Sequence, residues 1–204
     1  MVTPWNPDPT PPLQSLGDFY VSHSFPLMVD GDKLFVGGSF ATIAGQTRSG
    51  AASFDLATGE INAWNPYATA GQVTSLAVQG NRTYIAGTFL SVNGVPRSGL
   101  AALDKSTGVA TSWNPRVVGS IKAMAVHGQT LYLGGNFTQI GTSPRTNLAA
   151  VDISTGQVAA WNPGANGGVS ALAIGGTQVY VGAGLLRQFC QSDRGSRRLP
   201  NRRG

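Results

Sequence analysis

Asp30 and Asp32, flanking Gly31, are the carboxylates whose spacing comes nearest to a cation site in this 204-residue chain. Such a pair opens a calcium loop, but that loop needs further oxygen ligands at fixed offsets, and no acidic residue follows until Asp55. His23 and His127 have no cysteine or second histidine at zinc-ligand spacing. No Gly-x-Ser-x-Gly elbow, phosphate-binding loop or dinucleotide fingerprint occurs, despite 28 glycines. Trp64, Trp113 and Trp161 have the chemistry to stack on sugars. Arg48, Arg97 and Arg145, with Asp55, Asp104 and Asp152, have the charges to pair. All of these recur at one fixed interval, whereas an active site breaks symmetry. The plain expectation is that they serve structure: tryptophans between units, Arg and Asp in turn bonds or ion pairs. No catalytic, cofactor-binding or metal residue is assigned, and ligand-binding residues stay open.

The elements that hold these residues are copies of one unit of about 49 residues. Trp-Asn-Pro occurs at Trp5, Trp64, Trp113 and Trp161, and Gly-x-Phe ends at Phe40, Phe89 and Phe137. Thr58-Gly59, Thr107-Gly108 and Thr155-Gly156 follow the three aspartates in register. Each unit reads as four short strands. The first alternates apolar residues (Leu27/Val29, Leu76/Val78, Met124/Val126, Leu172/Ile174), the period-two pattern of a half-buried strand. A turn with glycine at its second position follows, then a strand opening on Phe35, Tyr84, Tyr132 or Tyr180. The third strand, such as Gly99 to Asp104, leads through Asp-x-x-Thr-Gly into a fourth ending at Trp-Asn-Pro.

A sheet of four antiparallel strands cannot bury both of its own faces, and stacking units around an axis solves this. The fold expected is all-β: a partial β-propeller of about 3.5 four-stranded blades. Its units span 25–66, 73–115, 121–163 and, in part, 169–184. A β-solenoid is the runner-up, but its coils are usually shorter. Closed propellers need roughly four to eight blades, so the body 1–184 is expected to be part of a longer propeller or to close by self-association. Its end blades would each expose an apolar face.

Charge narrows the partners. Residues 1–184 hold eight Lys/Arg and eight Asp/Glu, so the folded body has no electrostatic reason to bind nucleic acid. The whole excess of +5 sits in 185–204, which carries six Arg against Asp193. There the repeat stops abruptly, and the segment reads as a disordered basic tail or the product of a reading-frame slip. It also holds the sole cysteine, Cys190, which leaves the body without disulfides. No run approaches the roughly 18 apolar residues of a membrane span. Met1 runs straight into the first Trp-Asn-Pro, so no signal peptide is expected. The first unit is about ten residues longer than the others, an insertion around Pro9 to Phe25 that reads as a surface loop.

Leu-Ala-Ala-x-Asp-x-x-Thr-Gly, Trp-Asn-Pro and Leu-Tyr-Leu-Gly-Gly-Asn-Phe-Thr-x-Ile together resemble the delta-60-type repeats of bacterial extracellular β-propellers, a family of unknown function. That resemblance covers Trp5 to about Ala183. It implies a non-enzymatic scaffold or interaction module, secreted or on the cell surface, with no cofactor and an unidentified protein or glycan partner. Ala52 to Gly59 followed by Trp64 is also similar to the tryptophan-docking motif of quinoprotein dehydrogenases, which would imply a pyrroloquinoline quinone enzyme. The Asp-to-Trp separation is one residue longer here, and Gly-x-Phe fits that family badly. A carbohydrate-binding propeller is the third expectation.

Overall fold

The computed structural model describes residues 26–183, together with the backbone of Pro9–Thr10 and Cys190–Ser192. Among the described residues there are strands and no helix. Each unit is an antiparallel sheet with a long hairpin at its centre. The first pairs Leu27–Asp30 with Lys33–Gly37, and that strand with Ala51–Asp55. The second pairs Val73–Gln79, Arg82–Gly87 and Leu100–Asp104 in the same order. The third uses Val117–His127, Thr130–Ile140 and Leu148–Asp152, and the fourth begins with Val169–Gly175 and Gln178–Ala183. Every hairpin turns on the same glycine. Gly31, Gly80, Gly128 and Gly176 have φ between 58° and 60°, with open space where a Cβ would sit. Backbone conformation and not crowding therefore demands glycine there.

The units pack face to face, which is what makes them blades. Phe35 and Trp64 of the first meet Leu76, Ile85 and Leu103 of the second in one buried cluster. Tyr84 and Trp113 of the second meet Met124, Leu131 and Ile153 of the third. Tyr132 and Trp161 of the third meet Leu172, Ile174 and Val179 of the fourth. Hydrogen bonds reinforce the second junction: Thr74 Oγ1 donates to the Ile121 carbonyl at 2.7 Å, and the Met124 amide to Ser75 Oγ at 3.0 Å. The molecule is an all-β partial propeller.

Three features differ from the sequence expectation. The fourth strand is reduced to one bridge per blade: Phe54 with Ile61, Leu103 with Ala110, Val151 with Val158. The chain leaves the sheet there because the following tryptophan has to reach the next blade. Secondly, the residues after Trp-Asn-Pro pair with the loop beyond Gly-x-Phe in a small corner sheet. Ala68–Thr69 lies against Ser91–Val92, and Pro9–Thr10 against Thr42–Ile43. In the third blade this corner fuses with the main hairpin, giving two strands of 11 residues. Val117-Val118-Gly119-Ser120 is one residue shorter than Ala68-Thr69-Ala70-Gly71-Gln72, so the break at Ala70 becomes a bulge at Gly119. Thirdly, the outer side of the first blade is only partly open: Leu27 and Val29 are exposed, while Leu34, Val36 and Phe54 are buried.

The insertion expected around 9–25 lies outside the described residues, apart from Pro9–Thr10. The basic tail does too, except that the backbone of Cys190–Ser192 pairs with Gln178–Tyr180. Gln178↔Ser192 repeats the register of Thr130↔Asp152, the place of a third strand.

Candidate functional site

Trp64 is buried and reaches forward. Its Nε1–H donates to the Asp104 carbonyl of the next blade at 3.3 Å, and its ring meets Phe35 edge-on with centroids 5.1 Å apart. Trp113 repeats this with the Asp152 carbonyl at 3.1 Å and with Tyr84 at 5.3 Å. Trp161 keeps the edge-on contact, to Tyr132 at 5.2 Å, and is half-buried. A Cβ on Gly108 would lie 3.3 Å from the Trp64 ring, and one on Gly156 at 3.3 Å from Trp113 Nε1. Thr-Gly is thus the floor on which the preceding blade's tryptophan rests. All three tryptophans are inter-blade joints, and the burial of Trp64 and Trp113 leaves those two no sugar-stacking face.

The aspartates cap their own turns. Asp104 Oδ1 accepts from Ser106 N and Oγ and from Thr107 N and Oγ1, at 2.5 to 3.0 Å. Asp152 does the same with Ser154 and Thr155. The Ser106 hydroxyl, then Thr107, hold Asp104 down to about 2; the Ser154 hydroxyl and Thr155 hold Asp152 there too. Asp55, with Ala57 in place of serine, is lowered chiefly by the Thr58 amide. The arginines clamp carbonyls: Arg97 donates to Pro96 O at 2.8 Å and Thr111 O at 2.5 Å, and Arg145 to Pro144 O and Ala159 O, both at 2.8 Å. Arg48 holds Thr47 O and Asn62 O in the same way. Of the two sequence alternatives for these columns, turn bond or ion pair, the turn bond is the one that forms. The calcium-like Asp30 is also engaged, accepting from Lys105 Nζ of the next blade at 2.7 Å.

With the columns spent on structure, the candidate site lies where the copies differ. Each Trp-Asn-Pro among the described residues is followed by a residue in the left-handed region: Tyr67 (φ 46°), Arg116 (φ 51°) and Gly164 (φ 63°). Glycine is the comfortable choice at such a φ, so two exposed, bulky residues there carry strain of roughly 1 kcal/mol each. Arg116 lies at a cleft of about 670 Å³ between the second and third blades, beside Asn114, Gln139, Thr142, Ser143 and Gln157. The repeat register puts Tyr67, Val95 and Val109 at the matching corner one blade earlier, all of them exposed. One corner is cationic and polar; its neighbour is aromatic and apolar. Column-by-column comparison passes over these residues because they do not repeat. The signal available was the reverse one, an invariant tripeptide followed by Asp8, Tyr67, Arg116 and Gly164.

No family model and no curated protein matches the chain. Solved structures do. The computationally designed Ika4 protein superposes with a TM-score of 0.57 at 17% identity, over 87% of this chain and 95% of that one. The chain is a propeller-type repeat module. The computationally designed Ika8 protein gives 0.51 at 18% identity, over 78% of this chain and 42% of its own length. BamB from Moraxella catarrhalis is also similar, at 0.46 and 13% identity, over 77% of this chain and 39% of that chain. At these identities the likeness concerns the fold alone. Among the described residues no helix is long and apolar enough to cross a membrane.

Proposed function

We propose that this chain is a non-catalytic β-propeller scaffold or interaction module of a secreted or cell-surface bacterial protein, of the delta-60 repeat type. One observation carries the reading. The repeated Asp, Arg and Trp side chains are bonded inside or between blades, while the variable, exposed residues gather at the Trp-Asn-Pro corners. A repeated frame presenting varied side chains on loops is the usual plan of a recognition surface. The partner is a protein or a glycan met at those corners, and the folded body, with balanced charge, does not bind nucleic acid.

Probing glycan and protein arrays with the full chain tests this. Binding weakened by Tyr67→Ala or Arg116→Ala, with melting temperature unchanged, supports the module. The docking of Trp64 on the Gly108 turn favours a second reading, a quinoprotein-type oxidoreductase. Pyrroloquinoline quinone added with calcium decides between them: a bound-cofactor spectrum and dye reduction would overturn the non-catalytic assignment.

A further inference from the structure

We infer that the cleft between the second and third blades binds a carboxylate-bearing oligosaccharide, with the Arg116 guanidinium as its anchor; this deepens the interaction-module reading and rests on it. Arg116 differs from the other arginines of the described body. Arg48, Arg97 and Arg145 hold backbone carbonyls, and Arg82 donates to the Ile153 carbonyl at 2.7 Å. Among the described residues the Arg116 guanidinium has no hydrogen-bond or ion-pair partner, while its backbone carbonyl accepts from the Gly141 amide at 2.9 Å. It is exposed at the mouth of the cleft, in a backbone conformation that its successor in the repeat, Gly164, adopts without strain. A guanidinium so placed offers a planar fork suited to a carboxylate.

The rest of the lining selects a sugar over a peptide. Asn114, Gln139, Gln157, Thr142 and Ser143 each donate and accept, which suits a ligand covered in hydroxyls. Gln139 is steadied by donating from Nε2 to the Gly141 carbonyl at 2.8 Å. No carboxylate lines the cleft to repel an acid. Peptide recognition would call for a deep apolar anchor pocket or an open strand edge. Here the corner strand Ser143–Pro144 carries a proline, which removes a donor from that edge. The matching corner one blade earlier presents the exposed Tyr67 ring, a stacking face for a further sugar of the same chain.

Calorimetric titration of the full chain at about 0.15 M salt, where distant charges are screened, tests the assignment. The probes are tetragalacturonate, its fully methyl-esterified form and tetraglutamate. The acid is expected to bind at least about tenfold more tightly than the ester, the value of one good charged contact. Arg116→Gly is expected to weaken the acid by about the same factor without lowering the melting temperature. The six tail arginines are present in both proteins, so the difference isolates Arg116. Equal binding of acid and ester, indifference to Arg116→Gly, or no binding of the acid would each overturn the inference. Tetraglutamate bound more tightly than tetragalacturonate would replace the sugar by an acidic peptide. Array partners that survive those failures would leave the interaction module standing, whereas quinone turnover would remove it.

Discussion

Arg97 is nearly buried, and its two terminal nitrogens tie Pro96 to Thr111, the loop to the start of the reduced fourth strand. Hydrogen bonds from a charged donor contribute about 1.5–3 kcal/mol, so Arg97→Met, which keeps the stem and removes both, is expected to cost about that much. Urea denaturation measures it. Arg97→Lys is expected to rescue little, because one ammonium cannot reproduce the fork. The aspartates make the matching statement in pH. Asp104 and Asp152 titrate near 2 in the fold against an ordinary 3.8, so the folded state favours their charged forms. That stabilisation is complete above about pH 4 and is lost as pH falls through about 2. Melting temperature measured from pH 6 to pH 2 is therefore expected to drop in this window. Asp104→Asn with Asp152→Asn should start lower and show a shallower drop.

At the scale of elements, the corner hairpins show where backbone conformation outweighs contact. Asn93 and Gly94 both have positive φ, 49° and 75°, the signature of a type I′ turn between Val92 and Val95. A Cβ at Gly94 would touch nothing, yet Gly94→Ala is expected to destabilise by about 1–2 kcal/mol through the left-handed conformation alone. The first blade has Ala44 at the Asn93 position with φ 51°, and Ala44→Asn is expected to raise stability by less than about 1 kcal/mol. Thermal unfolding of the two variants reads both signs. The central hairpin turns at Gly31, Gly80, Gly128 and Gly176 were legible in the sequence, as were the first three strands and the Trp-to-blade contacts, because each is fixed by a residue type recurring at one interval; the corner hairpins were not. The fourth strand was not legible: whether Ile61, Ala110 and Val158 continue the ladder depends on where the next blade's turn stands. The fused hairpin of the third blade hung on a single deleted residue. Arg116 escaped because the argument that found the frame discards whatever varies.

Across the whole molecule, equivalent residues are worth different amounts according to their place in the array. Leu27 and Leu76 occupy one column, but Leu27 is 59% exposed and Leu76 is 5% exposed, packed on the first blade. Leu76→Ala is expected to cost about 2–5 kcal/mol and Leu27→Ala less than about 1 kcal/mol, compared by denaturant midpoints. Tyr180, 48% exposed where Tyr84 is wholly buried, marks the corresponding gap at the other end. In an array of this kind each blade is stabilised by its neighbours, and the joint between them is the tryptophan. Hydrogen exchange on Trp113→Ala tests that claim most directly. Protection is expected to fall in Leu148–Asp152 of the third blade, whose Asp152 carbonyl loses the tryptophan donor and keeps the Gly156 amide of its own turn, together with Leu100–Asp104 of the second. A loss confined to the second blade, with Leu148–Asp152 as protected as in the parent, would contradict the account.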